Sequence, residues 1–330
     1  MNKKFISLLL SVFIATIMLA ACGASGSSDK AIVLRLADNH PEDYPTVIGD
    51  KKFAELVEEK TEGRYKIDVY AGGQLGSEKS IVELLQLGAI DLTRVNTMPL
   101  TEFSKDVGVL SLPYLFEDED SKWEHLNGEL GRELLDTFEG TNLIGLAFYD
   151  SGERSIYNSK KPIETPADLK GLKIRVQPSE LAIDVFKSFG ASATPMAYSE
   201  VYSAIQTGVI DGGENNWPSY YTSNHYEVAG YFTENNYSGP PEILLGSQKL
   251  WDRLSEEDRE IFREAALESV AVQREAWAEL TEKSREAVIE RGNEVIEIKD
   301  FTPWREAVEP VYEKYGGPYK KWIDKIQSSK

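Results

Sequence analysis

Apolar and polar positions along the chain switch between two periods. Ala31 to Leu36 is a short apolar run that reads as a buried strand, ended by the polar loop Ala37-Asp38-Asn39-His40-Pro41. Phe53, Leu56 and Val57 recur at helical spacing within Lys52 to Glu62, and Gly63 marks the stop. Tyr65 to Tyr70 alternates as a strand does. Ser77 is placed to cap a helix whose inner face is Ile81, Leu84 and Leu85, Gly88 closes it, and Ile90 to Val95 predicts the next strand. Strand–helix–strand alternation at these lengths predicts an α/β protein with mostly parallel sheets. Further on, Ser255 and Asp258 make a capping-box-like start. Apolar residues from Ile261 through Leu267, Val270, Trp277 and Leu280 then keep helical spacing, with Gly292 the first clear stop, so one long helix is expected. Glu294 to Ile298 reads as a returning strand, and Glu306 to Ile326 as a last helix.

An internal repeat sharpens this picture. Leu85-Gln86-Leu87-Gly88-Ala89-Ile90-Asp91 returns as Ile205-Gln206-Thr207-Gly208-Val209-Ile210-Asp211, each copy after a helix that a serine, Ser77 or Ser199, is placed to cap. Two lobes with similar α/β cores follow. Each repeat delivers polar residues just past the same kind of strand: Arg94 and Asn96 in one, Glu214, Asn215 and Asn216 in the other. Ligands of open α/β sheets bind beyond the carboxyl ends of the strands, so the two sets are expected to face each other across a cleft.

The amino terminus places the protein outside the cytoplasm. Met1 to Lys4 holds two lysines and no acid, Phe5 to Ala21 is almost unbroken apolar sequence, and Leu19-Ala20-Ala21-Cys22 ends it. This resembles a bacterial lipoprotein signal, in which the chain is cut before Cys22 and that thiol is lipidated. Small residues from Gly23 to Ser28 form a flexible tether. The resulting plan is a signal at 1–21, a tether at 22–30, a first lobe at 31–151 to which about 241–280 return, and a second lobe at 152–240 completed by about 281–330.

Charge and residue counts exclude several functions. With 36 basic against 55 acidic residues the net charge is −19, the wrong sign for a nucleic-acid partner. A single cysteine forbids an intrachain disulfide, and three histidines in unrelated contexts give no metal site. No phosphate loop, nucleophile elbow or His-Glu-x-x-His pair is present, so neither cofactor nor enzyme chemistry is expected. Glu78 and Glu214 as a glycosidase acid–base pair are the rival reading from another class, and a structural lipoprotein that binds no solute is a third.

Three arginines carry the chemistry instead. Arg175 ends the strand-like Gly171-Leu172-Lys173-Ile174-Arg175-Val176, Arg154 follows the apolar run Leu143 to Tyr149, and Arg94 follows the first repeat. A buried arginine needs an anion, either an internal Asp or Glu or a bound acid. With Asn96 and Asn215 nearby, the three together point to a pocket for a carboxylate, whose geometry the guanidinium fork matches. Trp217 and Tyr220, directly after Glu214-Asn215-Asn216, suit a small polar ligand with one apolar face.

These segments resemble the solute-binding subunits of tripartite ATP-independent periplasmic (TRAP) transporters. The marks are Gly73-Gln74-Leu75-Gly76, the strand ending at Arg175, Thr194-Pro195-Met196-Ala197-Tyr198-Ser199-Glu200-Val201-Tyr202, and Gln206 through Asn215. The resemblance implies two α/β lobes of a periplasmic-binding-protein-like fold, hinge strands, a long helix across both lobes and closure over a solute. Arg175 matches the carboxylate clamp, Arg154 a second cleft arginine, Asn215 the amide after the second repeat and Tyr198 a cleft aromatic. Asn96 and Pro99 stand where sialic-acid binders carry glutamate and arginine. His40-Pro41, Arg94-Val95-Asn96, Asp150-Ser151-Gly152, Gln177 and Asn215 to Tyr220 look like the uronate branch, with Glu78 and Glu242 as hydroxyl acceptors. A hexuronate ligand, TRAP membrane subunits as partner, a lipid anchor as sole membrane contact and a monomeric state are therefore expected. A C4-dicarboxylate is the alternative ligand.

Overall fold

Each of two sheets is built around a central strand that one copy of the repeat supplies. The computed structural model of the chain describes residues 30–328, so the signal and Cys22 lie outside the described residues. The strands are β1 (Ile32–Ala37), β2 (Tyr65–Tyr70), β3 (Leu92–Asn96), β4 (Leu143–Tyr149), β5 (Arg154–Asn158), β6 (Lys173–Val176), β7 (Ser192–Pro195), β8 (Gly212–Asn215), β9 (Tyr231–Ser238), β10 (Glu242–Ser247) and β11 (Glu294–Glu297). The first sheet has the order β2-β1-β3-β10-β4 and the second β11-β9-β5-β8-β6-β7. Apart from Ile32 at the start of β1, both lie within the compact unit that begins at Val33.

The repeat does the same work twice. Gly88 and Gly208 both turn the chain with positive φ, +63° and +75°, which glycine adopts without steric cost. Asp91 and Asp211 then each accept a backbone N–H from the adjoining parallel strand, from Arg35 at 3.0 Å and Lys173 at 2.9 Å. In each sheet the central strand has a parallel neighbour on one side (β1 or β6) and an antiparallel one on the other (β10 or β5). Past each strand an asparagine caps a short helix: Asn96 accepts from Met98 N–H at 3.1 Å, and Asn216 from Ser219 N–H at 2.8 Å.

The two-lobed α/β architecture is as expected, but the sheets are mixed rather than mostly parallel. The reason is topological: β5 and β10 arrive by crossing from the other sheet, and each inserts antiparallel beside the central strand. Ser199 caps nothing, because it lies in the turn Tyr198–Glu200 and the helix begins at Val201. The single last helix is three, Thr302–Ala307, Glu309–Tyr315 and Lys320–Ser328. Pro310 and the run Gly316-Gly317-Pro318 interrupt it, since proline cannot continue a helix interior. The first two of these helices touch the second sheet's flank through Trp304 on Phe189 and Tyr315 on Asp184. The third returns to the first, where the Trp322 indole donates to Asp106 at 2.7 Å.

The long helix Glu256–Glu290 starts where expected, with the Ser255 hydroxyl accepting from Asp258 N–H at 3.1 Å. Its 35 residues span about 52 Å. It packs on helix Pro45–Lys60 and β4 of one half and on helix Trp217–Thr222 of the other. At the β4–β5 crossing, the buried Gln273 amide holds both backbone groups of one residue, Asp150. Its oxygen accepts Asp150 N–H at 2.7 Å and its nitrogen donates to Asp150 C=O at 2.8 Å. Gly152, two residues on, has φ +55°, and a β-carbon there would come within 2.8 Å of the Trp277 indole nitrogen.

Candidate ligand-binding cleft

The carboxyl ends of β3, β6 and β8 and the loop after β1 surround a tight cavity of about 20 Å³. Asn39, His40, Glu78, Asn96 and Glu242 line it from the first sheet's side, and Arg154, Arg175, Gln177, Tyr198, Asn215, Asn216 and Ser219 from the second's. Nine of the eleven expected ligand-binding residues are among them. The other two, Arg94 and Trp217, are elsewhere, each for a physical reason.

Arg94 is fully buried, and its donors are consumed within the protein. Nε donates to Asp38 at 2.9 Å, and Nη1 donates to Glu78 at 2.8 Å and to Glu242 at 2.7 Å. Nη2 reaches Asp38, Asn39 and, at 2.7 Å, His40 Nδ1. It therefore acts as the counter-ion that collects carboxylates rather than as a ligand clamp. Burial alone would lower its pKa, but Asp38 and Glu242 more than offset that and hold it charged. Burial likewise would raise the Asp38 carboxyl, and Arg94 and His40 hold it well below the ordinary range instead. His40 is pushed down by burial and then by the Arg94 charge, so it stays neutral. Because its Nδ1 accepts from Arg94, the ring proton sits on Nε2, leaving His40 a donor. It is fixed by parallel stacking on Tyr44 at 3.9 Å and by the Tyr198 ring edge at 5.5 Å. Behind Asp38, the buried Asp50 carboxyl is pushed up by burial and by the Asp38 charge, which outweigh the opposing Arg94 charge, so it stays protonated.

Trp217 packs its ring on Phe232 at 3.8 Å and donates its indole N–H to Glu234 at 3.1 Å, in a crevice beside the long helix. Proline at the next position and the Asn216 cap turn it into the core rather than the cleft. Tyr220 is core as well, its hydroxyl donating to Ala229 C=O.

The second wall is arranged in the opposite sense. Glu214 stands three residues past Asp211, as Arg94 stands three past Asp91, and it is fully buried. Two arginines converge on it. Arg154 Nε donates to its Oε2 at 2.5 Å and Nη2 to its carbonyl at 3.0 Å, while the Tyr237 hydroxyl donates to Oε2 at 2.7 Å. Arg175 is 2% exposed and only partly satisfied. Its Nε donates to Met196 C=O at 3.0 Å, but Nη1 has no hydrogen-bond partner and sees Glu214 Oε1 only at 3.7 Å. The buried Gln177 Oε1 is also without a partner. A buried donor or acceptor left open is costly, and Arg175 and Gln177 each bring one such atom to the cavity lining.

The cleft is closed at its back by contacts from one half to the other. Tyr44 Oη and Ser219 Oγ lie 2.7 Å apart, Asn216 Nδ2 donates to Ser151 C=O at 3.0 Å, and Thr101 and Ser179 hydroxyls meet at 3.2 Å. Sequence reasoning missed Asn39 and Ser219 as cavity residues and Asp38 as the main partner of Arg94. Asn39 stands in the loop after β1 and Ser219 just past β8, and nothing in their local sequence marks them.

Residues 36–317 match the profile of bacterial extracellular solute-binding protein, family 7. The chain belongs to that family. A TRAP periplasmic solute-binding protein of a Bradyrhizobium species, solved in complex with galacturonate, superposes with a TM-score of 0.88 at 42% identity, covering 90% of this chain and 100% of that one. A second, from Citrobacter koseri with bound D-glucuronate, gives a TM-score of 0.88 at 36% identity over 91% and 100% of the two chains. Among curated relatives, a solute-binding protein of Chromohalobacter salexigens is 39% identical over 276 residues, 84% of this chain and 82% of that protein. Among the described residues of this family member, no helix is long and apolar enough to cross a membrane.

Proposed function

We infer that this solute-binding protein captures a hexuronate, glucuronate or galacturonate, and hands it to the membrane subunits of a TRAP transporter. The observation that carries this is the polarity of the cavity. On one wall two guanidinium groups meet one carboxylate, with Arg175 Nη1 unspent. On the other, one guanidinium meets three carboxylates, with Glu78 and Glu242 lining the space. A ligand with a carboxylate at one end and hydroxyls at the other satisfies both walls. A C4-dicarboxylate would press its second carboxylate onto Glu78 and Glu242, where like charges repel. The bound galacturonate and glucuronate of the two structural relatives support the same reading.

Arg175 is the clamp, Arg154 and Asn215 flank it, Gln177 and Tyr198 border it, and Glu78, Glu242, Asn96 and His40 receive the hydroxyl end. Arg94 acts through the acids it holds. Lobes at 31–151 with 241–280, and at 152–240 with 281–330 apart from the last helix Lys320–Ser328, which packs on the first, close over the ligand because only closure brings both walls to it. The protein works as a monomer, without chemistry, held to the outer face of the membrane by a lipid on Cys22. Calorimetry with hexuronates, aldonates and C4-dicarboxylates tests the reading. Submillimolar binding of a hexuronate with dicarboxylates at least tenfold weaker is expected, and the reverse order overturns it. Loss of membrane association in Cys22→Ser tests the anchor.

A further inference from the structure

Helix Pro45–Lys60 brings two polar side chains to the back of the acidic wall. Thr46 and Asp50 are one turn apart, so they share a face of that helix. The Thr46 hydroxyl donates to Asp38 Oδ2 at 2.8 Å. Asp50 is fully buried, neither of its oxygens receives a hydrogen bond, and it faces the Asp38 carboxylate. The turn between them is held tight. A β-carbon on Gly49 would come within 2.8 Å of Gln273 and 3.0 Å of Tyr149, so the helix cannot shift to find Asp50 another partner.

A buried carboxylate without a donor is costly, and two adjoining carboxyls cannot both ionise. Asp38 is the one supplied with donors: the Arg94 Nε at 2.9 Å, the His40 N–H at 2.7 Å and the Thr46 hydroxyl. Asp50 is left with its proton, and a protonated carboxyl is itself a donor. What lies beyond Asp38 matters to the cavity. Arg94 reaches Glu78 at 2.8 Å, Glu242 at 2.7 Å and His40 Nδ1 at 2.7 Å. Those three residues line the cavity, and Asp50 does not.

We propose that Asp50 is a positioning residue for ligand capture: as a neutral acid it donates its O–H to Asp38, and so sets the place of Arg94 and of the three groups that meet the ligand's hydroxyl end. This rests on the hexuronate reading of the cavity. Two other roles make different predictions. A space-filling Asp50 is replaceable by leucine, which has a similar shape, and an anionic Asp50 is not replaceable by a neutral amide. The test is calorimetry of the mature protein with glucuronate and galacturonate, on the wild type, Asp50→Asn and Asp50→Leu. Asp50→Asn keeps a neutral donor and is expected to bind within about twofold of the wild type, while Asp50→Leu loses the donor and is expected to bind at least tenfold more weakly. An infrared band of a protonated carboxyl, present in the wild type at neutral pH and lost in Asp50→Asn, is expected alongside. A tenfold loss in Asp50→Asn, binding within twofold by Asp50→Leu, or no band that Asp50→Asn removes each overturns the proposal and leaves the hexuronate reading standing. If Asp50→Leu does not fold, Asp50→Ala, which also lacks a donor, is measured in its place with the same expectation. Failure of both sugars to bind the wild type removes the hexuronate reading itself.

Discussion

Arg94 and Glu214 occupy equivalent places in two copies of one structural unit, yet their surroundings are inverted. Each lies three residues past the repeat's aspartate, in the central strand of its sheet, between a parallel and an antiparallel neighbour. Around Arg94 stand Asp38, Glu78 and Glu242; around Glu214 stand Arg154 and Arg175. Neither cluster balances by itself. A duplicated frame thus gives two walls of opposite electrical sense, and the cavity between them orients a ligand that is acidic at one end and hydroxylated at the other. The comparison also separates two kinds of buried arginine. Arg94 has spent its donors on the fold, and Arg175 has kept one edge in reserve.

The sharpest way to break that comparison is to remove each arginine. Arg94→Ala strands three carboxylates without their common cation and is expected to cost about 3–5 kcal/mol of folding stability in denaturant titration. Arg175→Ala is expected to leave stability nearly unchanged and to cost about 2–5 kcal/mol of hexuronate affinity, roughly 30- to 4,000-fold, by calorimetry. Arg175→Lys keeps charge but not the fork, and falls between. A stable Arg94→Ala protein, or near-normal binding by Arg175→Ala, erases the distinction.

A smaller effect sharpens the acidic wall. Glu78 is the most open of the Arg94 partners, with a side chain 14% exposed, so Glu78→Gln disturbs the fold least. It is expected to weaken hexuronate by about tenfold, the loss of one charge-assisted hydrogen bond, while succinate binding improves relative to it. Unchanged selectivity would remove Glu78 from the account.

How much of this was readable beforehand depends on whether a residue's role was local. The repeat, its glycine turns, the Ser77 and Ser255 caps and the long helix all follow from short-range chemistry, and they stand as read. Arg175 in β6 carried a local signal, because an arginine in an apolar strand needs an anion, and the structure leaves its Nη1 unpaired on the cavity wall. Arg94 carries the same local signal but the opposite outcome. Its partners Asp38 and Glu242 lie 56 and 148 residues away, and only the fold shows that they arrive first. Trp217 misled for a similar reason, since a ring beside polar residues reads as a cleft wall until its stacking on Phe232 is seen. The mixed sheets were hidden because β5 and β10 owe their direction to crossings that leave no local pattern.

Two lesser effects fall in the second sheet's half, behind the cavity wall. Burial first, and the Arg175 charge second, push His225 down to about 3. A base whose folded pKa is depressed contributes stability that is fully present above its unfolded value and lost as pH falls toward the folded one. The protein should therefore lose stability between about pH 6.5 and 3, with this histidine contributing a slope of up to about 1.4 kcal/mol per pH unit. His225→Gln, which cannot charge, should flatten that limb in denaturant titrations across pH, and an unchanged slope contradicts the assignment. Smallest of all, Trp217→Phe is expected to leave hexuronate affinity within about twofold while lowering stability by about 1 kcal/mol, because its ring belongs to the core. A large loss of affinity would return Trp217 to the cleft.

The polarity of the cleft is tested most directly by a crystal structure of the mature protein with bound hexuronate. The account places the sugar carboxylate within about 3 Å of Arg175 Nη1 and ring hydroxyls on Glu78 and Glu242. A carboxylate turned toward Glu78 and Glu242, with Arg175 Nη1 still unpartnered, would contradict it.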